Sequence, residues 1–318
     1  MPRVVLTASL PGDVAGILAG HELRGPAEGA WPRARWLAEL ATADALICLL
    51  SDRIDAEVFE RGPHLRVVAN YAVGHDNIDH AAAAARGVLI ANTPDVLTEA
   101  TADLAFALIL AAARRIGEGE RLIRGGGWRG WSPGLLHGVE LTGQTLGIVG
   151  VGRVGRAVAR RAQGFGLHVI GAGHGRAVDA PGVTPVALDE LLATADVVSL
   201  HCPLTPATRG LIDAAALARM KPTAILVNTA RGECVDDDAL ADALERGHLA
   251  GAALDVFAHE PAVAPRLLTA PRLVLTPHLG SATAGARARM GELCARAVAA
   301  VLAGQRPPNL VAPREVTA

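Results

Sequence analysis

Short apolar, β-branched runs alternate with alanine-rich stretches of helical period along this chain, and the alternation occurs twice. In the first part the runs are residues 4–7, 45–50, 65–69 and 88–91, with amphipathic segments at 34–41 and 79–86 between them. Strand, helix, strand, helix is the pattern of a parallel sheet covered by helices on both faces. A turn signal, Asn92-Thr93-Pro94-Asp95, precedes a long helix that begins near Thr98. Residues 125–138 read as loop, with glycines at 125, 126, 127, 130 and 134, and mark a domain junction or a surface lobe. The alternation then restarts, with strands expected at 145–149, 167–171, 183–186, 197–200, 224–228, 251–254 and 273–275, and helices including 154–163, 236–246 and 284–302. The expectation is an α/β protein with two doubly wound parallel-sheet domains and a cleft between them.

Cation usage narrows the chemistry. Lys and Arg together number 30, and Lys221 is the single lysine. It is followed by Pro222 and ends no glycine loop, so a Walker phosphate site is excluded and a Schiff-base lysine is not expected. Aromatic residues make up only 3% and the net charge is −2, which argues against a nucleic-acid surface. Hydrophobic content of 51% with 19% charged residues suits buried cores and not a disordered chain. The four cysteines (48, 202, 234, 294) form no CxxC pair, which encodes no local zinc knuckle and fits a reducing compartment. The start lacks the order of a secretion signal, and the longest apolar run, 104–113, is ten residues and too short to span a bilayer. A cytoplasmic protein without membrane or nucleic-acid partners is expected.

Gly150-Val151-Gly152-Arg153-Val154-Gly155 is a GxGxxG between an expected strand and an expected helix. In that context it reads as a Rossmann-like dinucleotide fingerprint: Gly150 for the tight turn, Gly152 for approach to the pyrophosphate, Gly155 for close helix–strand packing. NAD specificity usually places an acid about 20 residues on, at the end of the second strand. Here no Asp or Glu occurs until Asp179, whereas His174 and Arg176 could meet a 2′-phosphate. NADP(H) is therefore the expected cofactor and NAD(H) the alternative; solvated loop positions for His174 and Arg176 stay open.

Three later segments end strands with reactive side chains: Asn228-Thr229-Ala230-Arg231-Gly232, Asp255-Val256-Phe257 with His259-Glu260-Pro261, and Thr276-Pro277-His278-Leu279-Gly280-Ser281. Ligands of open α/β sheets bind at the carboxyl ends of strands. Reduction of a 2-oxo acid by hydride needs a proton donor for the carbonyl oxygen, a carboxylate to hold that donor, and a guanidinium for the substrate carboxylate. His278, Glu260 and Arg231 supply those types, although each alone is more often a surface or capping residue.

The chain resembles the D-isomer-specific 2-hydroxyacid dehydrogenases, and within them the glyoxylate/hydroxypyruvate reductases. The resemblance covers Leu49-Leu50-Ser51-Asp52, the stretch Asn70 to Asp79, Ala91-Asn92-Thr93-Pro94-Asp95-Val96-Leu97-Thr98, Thr101-Ala102-Asp103-Leu104-Ala105, the glycine loop and the three segments above. It implies that His278 is the acid/base, that Glu260 pairs with it and that Arg231 binds the substrate carboxylate and carbonyl. It further implies that Ser51 and the N–H groups of Val73 and Gly74 bind substrate. Asp255 would meet the nicotinamide carboxamide and Thr101 would lie by the cofactor. Arg153 and Val154 would sit over the pyrophosphate, and Cys202, Pro203 and Thr205 would border the adenosine. Thr229, Ala230, His278 and Gly280 would complete the cofactor site, with no metal. The implied domains are a discontinuous substrate domain, 1–97 plus 286–318, and a dinucleotide domain, 98–285. A homodimer is implied, using the helix from about Thr98 and the 125–138 lobe. The implied reaction is reduction of glyoxylate or hydroxypyruvate to the D-2-hydroxy acid. Two features depart from the pattern: His75 stands where relatives often carry an aromatic, and Leu135 and Leu136 stand where some glyoxylate reductases carry Trp.

Phosphoglycerate dehydrogenase or another D-2-hydroxyacid dehydrogenase is the nearest alternative, and a non-catalytic NAD(P)-binding regulator of the same fold is a second. Gly130-Trp131-Ser132-Pro133-Gly134 fits the serine-hydrolase GxSxG literally. Pro133, however, has no N–H for an oxyanion, and no strand is expected before it.

Overall fold

The computed structural model describes residues 1–173 and 178–311. The chain divides into two compact units, residues 1–97 with 282–318, and residues 98–281. The return to the first unit thus comes four residues earlier than the 285/286 boundary expected from sequence. The reason is local: Thr283 caps helix Ala284–Leu302, its side chain accepting from the Ala286 N–H at 3.2 Å, so the cap travels with its helix.

Among the described residues the first unit carries a five-stranded sheet in the order Glu22–Arg24, Arg3–Leu6, Ala45–Leu49, Val67–Tyr71, Leu89–Ala91. Every pairing in it is parallel. Its apolar runs are continuous because both faces are buried. Val67 and Ala69 face one core, which includes Met290, Cys294 and Val298 of helix Ala284–Leu302. Val68 faces the other, with Trp36 and Phe59. Glu22–Arg24 was not expected from sequence: it is a three-residue, half-exposed edge strand with one apolar side chain, Leu23, between two charged ones, too short for the apolar run that marks the others.

The second unit carries seven parallel strands among the described residues, in the order Leu273–Leu275, Gly251–Leu254, Ile225–Asn228, Val197–Leu200, Thr145–Val149, His168–Ala172, Thr184–Pro185. The chain enters at Thr145–Val149, builds outward to one edge, then returns to build the other side from Val197–Leu200. The order therefore reverses between those two strands, which is the switch point where open α/β sheets bind ligands. One face packs on helices Thr98–Ala113 and Arg153–Gly164, with Ile109, Ala157 and Val158 in the core. The other packs on a core that includes Leu191, Leu217 and Leu240. Helices Leu188–Thr194 and Ala214–Arg219 were not singled out from sequence; at seven and six residues they are too short to show a clear helical period. Among the described residues no helix is long and apolar enough to cross a membrane.

Candidate active site

The glycine loop follows strand Thr145–Val149 at the switch point. Gly150 has φ +93°, and a Cβ there would lie 2.6 Å from the Cys202 backbone N, so the turn admits no side chain. A Cβ on Gly155 would lie 2.4 Å from the Gly150 carbonyl oxygen, which is the close helix–strand approach expected of it. Gly152 caps helix Arg153–Gly164 without a side-chain hydrogen bond, and nothing lies within 4 Å of where its Cβ would be. The helix start therefore has room beside Gly152 and no side-chain cap, an arrangement that can receive a phosphate. Beside the loop, Thr208 is fully buried; its hydroxyl donates to the Pro203 carbonyl at 2.7 Å and accepts from the Thr205 N–H at 2.7 Å. Those bonds fix the turn that carries Cys202, Pro203 and Thr205.

Three neighbouring strand ends carry the reactive side chains. After Ile225–Asn228, the fully buried Asn228 side chain accepts from the Ala230 N–H at 3.0 Å and donates to the Arg231 carbonyl at 2.8 Å. Its carbonyl accepts from the Asp255 N–H at 2.9 Å, tying this turn to the end of Gly251–Leu254. Gly232 closes the approach: a Cβ on it would fall 1.9 Å from the Phe257 carbonyl carbon. Arg231 is extended, at φ −143°, and its Nη1 donates to the Ala230 carbonyl at 2.8 Å.

Asp255 is 1% exposed and organises the third strand end. Its Oδ1 accepts from the Thr276 hydroxyl at 2.6 Å and the Leu279 N–H at 2.7 Å, and its Oδ2 from the Gly280 N–H at 2.8 Å. Burial raises its pKa; the Thr276, Leu279 and Gly280 bonds and the nearby His278 oppose that rise without cancelling it. The Thr101 hydroxyl of helix Thr98–Ala113 donates to the Gly280 carbonyl at 3.1 Å, so Thr101, Asp255 and Gly280 form one cluster.

His278 sits in this loop in the left-handed region, at φ +52°, with its N–H shared between the Asp255 and Thr276 carbonyls at 2.9 and 3.1 Å. Its Nδ1 lies 2.8 Å from Glu260 Oε2. Glu260 Oε1 accepts from the Phe257 N–H at 3.0 Å. Burial works to raise the Glu260 pKa, but the His278 and Phe257 bonds and the Arg231 charge outweigh it and hold the carboxyl below its ordinary value. With Nδ1 on the carboxylate, Nε2 is left as the nitrogen for proton exchange.

In the first unit, strand Val67–Tyr71 runs into the loop of Val73 and Gly74. The carbonyls of Ala72, Val73 and Gly74 accept from the Thr93 N–H (2.9 Å), Asn92 Nδ2 (2.7 Å) and Asn70 Nδ2 (2.8 Å). A trans peptide opposes each carbonyl to the next N–H, so the Val73 and Gly74 N–H groups point away from these partners. His75 Nδ1 lies 2.7 Å from His80 Nε2. Ser51 is exposed in the turn after Ala45–Leu49, where Asp52 accepts from the Leu49 N–H at 2.8 Å. His174 and Arg176 lie outside the described residues.

The NAD-binding-domain model of the D-isomer specific 2-hydroxyacid dehydrogenases matches residues 106–280. The chain belongs to the D-isomer specific 2-hydroxyacid dehydrogenase family. It is 47% identical to the glyoxylate reductase of Pyrococcus furiosus, over 98% of this chain and 95% of that protein. It is 48% identical to the glyoxylate reductase of Korarchaeum cryptofilum, over 98% and 96%. A solved structure of a Thermus thermophilus protein superposes with TM-score 0.92 at 47% identity, covering 98% of this chain and 100% of that one. The NADPH-dependent glyoxylate/hydroxypyruvate reductase of Sinorhizobium meliloti, solved with NADP and malonate, gives TM-score 0.88 at 32% identity, covering 100% and 99%.

In this dehydrogenase-family chain several side chains that build the site were not read from sequence. Asn228, Thr208, Asn70 and Asn92 act through backbone groups and Thr276 through the Asp255 carboxylate; for Asn228, Thr208 and Asn70 the burial of a polar side chain is the signal that points to them. His201, after strand Val197–Leu200, is another: its Nε2 is 2.9 Å from the Ser199 hydroxyl and its Nδ1 3.4 Å from that of Thr229. Burial pushes its pKa down to about 4, so it stays neutral beside the glycine loop. The GxSxG look-alike has no strand before it, and Trp131 within it is 84% exposed, so no nucleophile elbow forms.

Proposed function

We propose that this chain reduces glyoxylate to glycolate, and hydroxypyruvate to D-glycerate, with NADPH. The observation that carries the reading is the His278–Glu260 contact of 2.8 Å, set in the same loop cluster as Arg231 and the Asp255–Gly280–Thr101 bonds. The reading is further supported by the glyoxylate reductases among the relatives.

The open, uncapped helix start at Gly152 fits a dinucleotide pyrophosphate, with Arg153 and Val154 beside it and Cys202, Pro203 and Thr205 toward the adenosine. Thr229, Ala230, Asp255 and Gly280 are assigned to its nicotinamide end. When bound, the nicotinamide supplies the hydride that reaches the substrate carbonyl carbon. As negative charge grows on the carbonyl oxygen, His278 Nε2 delivers a proton to it. Glu260 holds the imidazolium and keeps Nδ1 committed to itself. Arg231 presents a planar fork to the substrate carboxylate and polarises the carbonyl. Ser51 and the outward N–H groups of Val73 and Gly74 are the first unit's contribution to carboxylate binding.

NADPH preference rests on the absence of an acid between His168 and Arg176 and on the presence of Arg176. It is supported by the NADP-bound Sinorhizobium relative. A homodimer is supported by exposed apolar side chains on one lobe: Ile123 is 63%, Trp128 51% and Trp131 84% exposed. The four free, buried cysteines suit a reducing cytoplasm.

The test is a panel of 2-oxo acids (glyoxylate, hydroxypyruvate, pyruvate, phosphohydroxypyruvate) with NADPH and NADH. Glyoxylate and hydroxypyruvate with NADPH should give the highest kcat/KM, and Arg176→Ala should raise KM for NADPH more than for NADH. Preference for phosphohydroxypyruvate would reassign the substrate. Tight NADPH binding with no turnover on any acid would make the chain a regulator.

A further inference from the structure

The amino ends of the first unit's strands carry a concavity unrelated to the loop of Val73 and Gly74. Its volume is about 570 Å³, within the range of small-molecule sites. Arg66 precedes strand Val67–Tyr71, Arg86 follows helix His80–Ala85, His64 follows helix Ala56–Arg61, and Arg306 follows helix Ala284–Leu302. Among the described residues no carboxylate lines it.

The bland role for these arginines is to answer helix carboxyl ends. Arg66 does donate to the Val301 and Leu302 carbonyls at 2.8 and 3.1 Å, and Arg86 donates to the Phe59 carbonyl at 3.3 Å. Those bonds use part of each guanidinium, which carries five donors, and they hold the planes in place. Arg306 and His64 have no hydrogen-bond or ion-pair partner among the described residues. Several arginines elsewhere pair with acids, among them Arg3 with Glu22, Arg33 with Asp55, Arg161 with Asp103 and Arg266 with Asp242. Among the described residues three guanidiniums line one hollow with no lining carboxylate, which raises the local potential for an anion.

We propose that this pocket binds a small phosphorylated organic anion. Arginine forks match phosphate oxygens bidentately. The volume exceeds what one inorganic phosphate fills, and Leu65 and Val301, both buried, give an apolar wall for the ligand's carbon skeleton. The site lies at the opposite end of strand Val67–Tyr71 from the Val73–Gly74 loop, roughly 17 Å at about 3.3 Å per residue, so its ligand does not compete with substrate. This inference stands independently of the proposed activity.

The test is calorimetric titration of inorganic pyrophosphate, and separately of sn-glycerol 3-phosphate, into the full chain saturated with NADPH, at low and at moderate salt. Both probes should bind saturably at one site, more weakly at higher salt. Arg86→Ser combined with Arg306→Ser should raise Kd at least tenfold, while kcat and the KM values for NADPH and glyoxylate stay within twofold. Both positions are exposed, so folding should be retained, checked by circular dichroism. Absence of saturable binding, or equal affinity in the double variant, would overturn the proposal.

Discussion

His278 Nδ1 and Glu260 Oε2 lie 2.8 Å apart, joining two loops from neighbouring strand ends into one proton-handling unit. The Glu260 carboxyl is held below its ordinary value of 4.5, so it stays ionised to lower pH than a free carboxyl. A carboxylate whose folded pKa is depressed contributes stability that is present above its unfolded pKa and lost as pH falls through the folded one. The stability gap between wild type and Glu260→Gln, measured by urea unfolding, should be widest near neutrality and close below pH 4.5. Glu260→Gln should also lower kcat/KM, since the neutral amide no longer holds the Nδ1 side of the His278 ring as the carboxylate does. Unchanged kcat/KM would detach Glu260 from the acid/base function.

Arg231→Lys keeps the charge and loses the fork. A hydrogen bond to a charged group contributes about 1.5–3 kcal/mol, so kcat/KM for glyoxylate should fall by about tenfold to a hundredfold. Wild-type kinetics in the variant would argue against bidentate carboxylate binding.

Gly232→Ala places a methyl where the Phe257 carbonyl carbon stands, 1.9 Å from the ideal Cβ. Backbone must move on both sides, at a cost of about 1–3 kcal/mol by the usual overpacking scale. Thermal unfolding should show the loss, and kcat/KM should drop with it, because the shift displaces Arg231 relative to Glu260. A variant as stable and active as wild type would mean that the two loops are not mutually constrained.

Asp255→Asn tests a carboxylate that accepts three hydrogen bonds from Thr276, Leu279 and Gly280. An amide has one oxygen, so at least one donor faces an NH₂ group and loses its partner, at about 1–3 kcal/mol. Reduced stability together with a raised KM for NADPH is expected; full activity would show that the loop tolerates the mismatch.

The features that sequence makes legible are those carried by period and by backbone necessity. Strand Thr145–Val149 and the loop from Gly150 to Gly155 stand out because burial on both faces demands an apolar run and the turn demands a residue without a side chain. Arg231, Glu260 and His278 are visible as residue types at strand ends. That Glu260 reaches His278 across 18 residues is not visible in the spacing and is expected only from the family resemblance, because it depends on the left-handed turn at His278 and on the Asp255 bonds that fold the loop back. Asn228, Thr208 and His201 were missed for the same reason: their partners are backbone or hydroxyl groups distant in pattern, so no spacing announces them. The edge strand Glu22–Arg24 escaped because an edge needs no apolar alternation.

The most direct test is the steady-state oxidation of NADPH by glyoxylate with wild type and His278→Ala, alongside NADPH binding by fluorescence. General acid catalysis typically contributes about 10²- to 10⁴-fold, so kcat should fall by that order while the Kd for NADPH changes little. Undiminished turnover in the variant would contradict the assignment of His278 as the proton donor and with it the reaction proposed for this site.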